Sequence, residues 1–420
     1  MVYENDIHRR FYVKYNTEAI NEIAQQLAEM LKSAVEEQQK SGEGAVKIAQ
    51  IEAGMRDALR QIGNQALSNL LSSMQTTPEA EIECECGGIL HYQRMREATV
   101  ISVFGKTTYE RAYYAGCSCK RGKAPIDEQF GLEPGAVTAG LAMLLALAGI
   151  EFSYDESPRW LQPFLLFDIS ENTVRSETEQ MGRIQDEQEK VLIEQSQKES
   201  YLQERQRNPG KTPTRLYGSM DAAKVRIEPR PKKGEEQEEH EDWRDMKALC
   251  WFETEIVPPA QRSIRQKKKV EREQVALRAK NKHYFCDIIE ADAFGKLLWA
   301  SGCTVNADLC SDLVFLGDGA IWIWNLVEKY YPHARKIVDW YHAEEHLETV
   351  AMSAFANLSE RTRWLEEVTQ SLWDGQVQDV IVACEVLAQS CLVAEKATAY
   401  FTNNCERMRY DQFRAAEYMI

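Results

Sequence analysis

Two cysteine pairs, Cys84-Glu85-Cys86 and Cys117-Ser118-Cys119, restrict the fold of this chain more than any other feature. Between them, residues 99–104, Gly105-Lys106 and 107–114 read as a β-hairpin with its turn at Gly105-Lys106. Closing that hairpin brings the two pairs together. Four thiolates at one point suit tetrahedral zinc, and their softness favours zinc over magnesium or calcium. Gly87-Gly88 and Gly116 supply the tight turns that a metal knuckle needs. With four thiolates no position is left open for water, so a zinc ion here would be structural. Two pairs of buried, unliganded cysteines would show the same spacing. Lys120, Arg121 and Lys123 follow the last cysteine and are candidates for phosphate contacts, with a solvated turn as the alternative.

At 420 residues the chain is too long for one ordinary core, and two to four domains are expected. The first ten residues lack an apolar signal-peptide core, and eleven cysteines without one point to reduced thiols in the cytoplasm. The longest apolar stretch, 136–150, is too short to span a bilayer. The net charge of −16 does not fit a simple DNA-coating protein. It hides a basic arm, however. From Arg262 to Lys282 there are nine Lys or Arg, including Lys267, Lys268 and Lys269, against two Glu. An exposed loop or helix is expected there, open to phosphates or simply solvated.

The expected organisation is multi-domain α+β. Residues 1–78 form an N-terminal helical region, with Ile20, Ile23, Leu27, Leu31 and Ala34 on one helix face. Ile48, Met55, Leu59, Ile62 and Ala66 line a second face after the break at Ser41-Gly42-Glu43-Gly44. Residues 79–132 hold the cysteine hairpin. Residues 133–210 are helical, with Ser170 as N-cap of a helix from Glu171 and Pro163 limiting the helix before it. The segment from Ser153 to Met181 reads as helix, turn, helix, which suits either a DNA-binding helix-turn-helix or an ordinary helical hairpin.

From Thr214 the pattern becomes mixed α/β. Strands are expected at 215–227, 246–254, 284–290, 313–316 and 336–340, with a helix at 320–331. Asp221 lies in the middle of the first strand, where a lone acid costs desolvation energy unless it is paired or holds a metal. Asp318 follows the buried run 313–316 on a glycine-flanked turn, where sites of α/β sheets gather. Two such acids can hold Mg²⁺ or Mn²⁺, ions that act on both oxygens of a phosphodiester exchange. Taken singly, Asp221 could instead pair with Lys224, and Asp318 could cap the next helix.

These residues resemble a family. Met220-Asp221-Ala222, the run from Leu316 to Trp322, and the run from Ile337 to Leu347 resemble bacterial insertion-sequence DDE transposases of the ISKra-type group, which have an RNase H-like catalytic domain. The cysteine hairpin resembles their zinc-ribbon-like element. The resemblance covers most of the chain and is strongest over 214–420. It implies hydrolysis of a DNA strand at a transposon end, then attack of the freed 3′-hydroxyl on target DNA. Asp221 and Asp318 would be the first two acids, Asp339 and His342 supporting residues, 211–345 the catalytic domain, and 346–420 a helical insertion. DNA is the implied partner, and a homodimer or higher assembly follows by analogy.

The chain departs from the family at the third acid, a Glu in a Gly-Ser-Gly-x-x-Glu-Ser-like motif that follows a stretch resembling residues 400–410. Ile420 falls about where that motif begins, and no Gly-Ser-Gly follows Asp318. Glu344, Glu345 and Glu348 lie before the helical insertion and do not replace it. The expectation is a C-terminally truncated transposase, catalytically crippled. Two other readings remain open: a non-catalytic DNA-binding regulator and an unrelated metal nuclease of the same fold.

Overall fold

A computed structural model describes residues 48–74, 78–227, 242–261 and 275–420, with isolated positions between 25 and 36. The expected face of the first helix, Ile20, Ile23, Leu27, Leu31 and Ala34, and Lys267, Lys268 and Lys269 lie outside these residues. The chain divides into two compact units, Met1–Asp186 and Glu187–Ile420.

In the first unit, helix α1 (Ile48–Ser73) precedes an antiparallel sheet of β1 (Glu81–Glu83), β2 (Ile89–Ser102) and β3 (Gly105–Ala115). The turn is at Val103-Phe104, not at Gly105-Lys106, because Ser102 pairs with Gly105. Gly105 has φ +99° and closes the bend from its far side, as a left-handed glycine does after a tight turn. The expected face of α1 holds only in part. Ile62 is buried, with Ala58 and Leu71, and Ala66 is partly buried, while Ile48, Met55 and Leu59 are exposed. Polar residues dock α1 on the hairpin: Arg60 donates to the Phe104 carbonyl at 3.2 Å and Asn64 to that of Lys106 at 2.9 Å.

Four helices follow: α2 (Pro125–Phe130), α3 (Ala139–Glu151), α4 (Ser157–Leu165) and α5 (Glu171–Ser196). Pro163 lies inside α4, which runs on to a left-handed Leu166. A proline near a helix end loses only one interior bond, so the last turn survives it. Ser170 caps α5 by accepting from the Thr173 N–H at 3.1 Å. The start of α5 is partly committed to packing: Val174 is fully buried and Arg175 pairs with Glu171.

The second unit holds α6 (Glu199–Arg207) and a five-stranded mixed sheet. Its strands are β4 (Arg215–Ile227), β5 (Asp242–Ile256), β6 (Leu277–Asp287), β7 (Asp312–Gly317) and β8 (Arg335–Val338). The order is β6-β5-β4-β7-β8. β5 runs antiparallel to both β6 and β4, and β4, β7 and β8 run parallel. Helix α7 (Ala291–Thr304) links β6 to β7, and α8 (Ile321–Tyr330) links β7 to β8. Residues 277–282 of the basic arm belong to β6 and are not a loop. They form a sheet edge, where charged side chains are tolerated, and Arg278 pairs with Glu255 on β5.

The chain ends in α9 (Trp340–Ala354), α10 (Leu358–Trp373), α11 (Val377–Ala388), α12 (Leu392–Asn404) and α13 (Tyr410–Ala415). These helices share one core with the sheet: Leu347, Phe401 and Tyr410 pack with Val314 and Phe315. The last residues return to the strand starts. Tyr418 donates to Asp312 at 3.0 Å, and Arg215 to the Glu417 carbonyl at 2.8 Å. Trp324 and Trp340 are buried and Trp322 and Tyr341 partly so, which assigns these aromatics to packing. Among the described residues no helix is long and apolar enough to cross a membrane.

Candidate active site and metal centre

Parallel pairing aligns the acids. Ser219 on β4 pairs with Leu316 on β7, so two residues further on Asp221 and Asp318 stand level. Gly317 pairs with Val338 on β8, so Asp318 and Asp339 stand level too. The Asp339 N–H donates to the Gly317 carbonyl at 2.8 Å and extends that ladder by one bond. Neighbouring strands lie about 4.8 Å apart, so the three acids fall on three adjacent strands: Asp318 and Asp339 just past the carboxyl ends of β7 and β8, and Asp221 midway along β4, two residues past its last pair with β7. A parallel sheet places its ligands beyond those ends.

Each carboxylate is held differently. Asp221 is exposed and accepts from the Ala222 N–H at 2.7 Å, while Lys224 pairs with Asp245 instead. Asp318 is half-buried and accepts from the Ala320 N–H at 2.8 Å. Asp339 caps α9 by accepting from the Tyr341 N–H at 2.8 Å. Among the described residues these acids do not form a group of three or more with all ligand atoms within 4.8 Å.

His342 sits on the first turn of α9 with about half of its side chain exposed, its Nδ1 3.9 Å from Glu345. It is not a core histidine. His346, one turn later, is the better placed histidine, and the sequence reading missed it. Its ring stacks on Tyr400 of α12 at 3.9 Å. Burial of the ring holds its pKa below the ordinary value, reinforced by His342 and opposed by Glu345 and Asp318. Burial pushes the Tyr400 phenol well up, and the charges of Asp318 and Asp339 add to that. The phenol therefore stays protonated and donates to the Asp318 carbonyl at 2.8 Å.

The cysteines close as the hairpin spacing requires. Cys84 Sγ lies 3.5 Å from Cys119 Sγ and 3.5 Å from Cys86 Sγ, and Cys86 Sγ lies 3.3 Å from Cys117 Sγ. All four sulfurs lie within 4.8 Å of one another. Zn–S bonds of about 2.3 Å in a tetrahedron put sulfurs about 3.8 Å apart, so the cluster is close to ligand geometry. It could hold a metal ion such as zinc. Gly88 is required on its inner side, where a Cβ would fall 2.7 Å from the Cys117 sulfur. Cys117 is held down to about 6, first by the Cys119 backbone N–H and then by its contact with Cys86. Cys84 is pushed up to about 12, because contacts with Cys86 and Cys119 outweigh the Cys86 backbone N–H that lowers it. A thiolate on one side of the cluster thus suppresses the next.

The nearby bases differ in availability. Lys120 is exposed at φ +60°, Arg121 makes a loose exposed pair with Glu85 at 3.5 Å, and Lys123 is bound to Glu128 at 2.6 Å.

No protein-family model matches this chain, and a search of curated proteins finds no match.

Proposed function

We propose that the chain is a transposase-type DNA-processing protein whose second unit is an RNase H-like domain. The observation that carries this reading is the level placement of Asp221, midway along β4, beside Asp318 at the carboxyl end of the parallel strand β7. The sheet supports it: β4 and β7, which carry Asp221 and Asp318, run parallel side by side, with β8 parallel beyond them. In this reading Asp221 and Asp318 hold Mg²⁺ or Mn²⁺, which when bound supplies positive charge to the oxygens of a phosphodiester. Asp339 and His342 shape the strand end beside them. The cysteine hairpin is a zinc-ribbon-like element, its four thiolates holding structural zinc. Transposon-end and target DNA are the partners, in the cytoplasm, with two copies holding two ends.

Within residues 1–420 the resemblance finds two acids of three. Metal binding, rather than strand transfer, is the property these residues are expected to keep. The test is Mn²⁺ titration of the full chain and of an Asp221→Asn/Asp318→Asn double variant. Binding to the parent and loss in the variant supports the reading. Equal binding in both sinks it. DNA binding without any Mn²⁺ binding would point instead to a non-catalytic regulator. Cleavage of generic DNA or RNA without end preference would point to a nuclease.

A further inference from the structure

We infer that Tyr400 and Asn404 of α12 are positioning residues that set the Asp318 carboxylate from behind, an inference that rests on the metal-binding reading above. The turn after β7 is gripped at two consecutive carbonyls. Tyr400 Oη donates to the Asp318 carbonyl at 2.8 Å, and Asn404 Nδ2 to that of Gly319 at 3.4 Å. Asn404 is buried, and its amide is held in the donating orientation: Nδ2 also donates to the Tyr400 carbonyl at 3.0 Å, while Oδ1 accepts from Arg407 at 3.1 Å.

The backbone at the grip tolerates no side chain. Gly319 has φ +99°, and a Cβ there would fall 2.5 Å from the Tyr400 ring. The ring is in turn fixed by His346 stacked on it at 3.9 Å. The turn leads straight into the Ala320 N–H that holds Asp318 Oδ1, so the carboxylate inherits its direction from the gripped peptide. A ligand carboxylate must be held within about 0.5 Å of its working position, and this is the kind of support that does so.

Tyr410 provides the control. It also donates to a strand-end carbonyl, that of Val338 at 3.0 Å, but beside Asp339. The experiment is Mn²⁺ titration, with thermal melting, of the full chain and its Tyr400→Phe, Tyr410→Phe and Asp318→Ala variants. Tyr400→Phe is expected to weaken Mn²⁺ binding roughly five- to tenfold while Tyr410→Phe does not. Asp318→Ala should abolish binding. If Asp318→Ala abolishes it and Tyr400→Phe binds as the parent does, the positioning role is overturned and the metal reading stands. Equal losses in Tyr400→Phe and Tyr410→Phe would also overturn it, since a general loosening explains both. If Asp318→Ala binds like the parent, the metal reading itself fails and takes the positioning role with it. Should Tyr400→Phe not fold, Asn404→Ala removes the second grip alone and is expected to weaken Mn²⁺ binding in the same direction. Unchanged binding in that variant would count against the role.

Discussion

Asp318 and Asp339 end neighbouring strands in the same way: in each, Oδ1 accepts a 2.8 Å hydrogen bond from the backbone N–H two residues on. The consequences differ, because the N–H held by Asp339 belongs to the first turn of α9, while Asp318 sits ahead of the α8 N-cap, Ala320. Asp339 is therefore a helix cap as well as a neighbour of the acids. Replacing it by Ala is expected to cost about 1 kcal/mol of stability, the usual value of such a cap. Asp318→Ala is expected to cost less stability and more Mn²⁺ affinity. Urea unfolding beside Mn²⁺ titration separates the two, and the opposite ranking would remove Asp318 from the site.

At the cysteine cluster the two extreme thiols predict a stepped titration. In the metal-free protein Cys117 ionises near pH 6, while Cys84 stays protonated to about 12. The depressed Cys117 stabilises the fold at pH values above the ordinary thiol range, and that contribution is lost as pH falls through about 6. Thiolate absorbance should show a first step near pH 6, and its absence below about pH 8 would contradict this geometry. Zinc titrated in at neutral pH should bind one ion per four cysteines and release protons, because each ligand must be deprotonated. Cys117→Ser should lose that stoichiometric binding.

Much of the second unit was legible because a buried strand reads as an apolar run. Leu313-Val314-Phe315-Leu316 lies in β7, and an acid just past such a run marks a strand end. What the sequence could not give was partnership at a distance. His342 and His346 lie one turn apart on α9, and nothing local says which of them meets Tyr400 on α12. The choice is made by how the last helices fold back on the sheet. The exposed Met55 and Leu59 of α1 fail for a related reason. That helix docks through Arg60, Asn64 and Gly63, with Gly63 lying against Phe104, as well as through Leu67 and Leu71, so polarity periodicity places only part of the packed face. At the hairpin, a glycine marked the turn correctly and its register by two residues incorrectly. Gly105 closes the bend rather than forming its centre.

The bases beside the cysteine cluster should contribute unequally if this hairpin meets DNA. Lys123 is already neutralised by Glu128 at 2.6 Å, with its own side chain mostly covered. Lys120 is exposed, and the 3.5 Å pair of Arg121 with Glu85 is loose enough for solvent to screen. Lys120→Ala and Arg121→Ala are each expected to reduce the salt dependence of duplex binding by roughly one counterion, and Lys123→Ala to leave it unchanged. Equal effects from all three would mean that Glu128 lets go on binding.

His346 supplies a pH prediction whose sign is fixed by its surroundings. Covering of its ring by Tyr400 disfavours the imidazolium, with His342 adding to the effect, and Glu345 and Asp318 only partly offset it. Its folded pKa lies below the unfolded value of about 6.5. The stability it contributes is therefore present above that value and is lost as pH falls through the folded pKa. In a histidine NMR titration, His346 should ionise below the ordinary histidine value of about 6.5. Tyr400→Ala should move His346 back toward the ordinary value by returning its covered face to water. An upward move in that variant ties the stack to the titration. A His346 that titrates above about 6.5 in the parent would mean that the Asp318 charge outweighs burial, and that the ring is not covered as the stack requires.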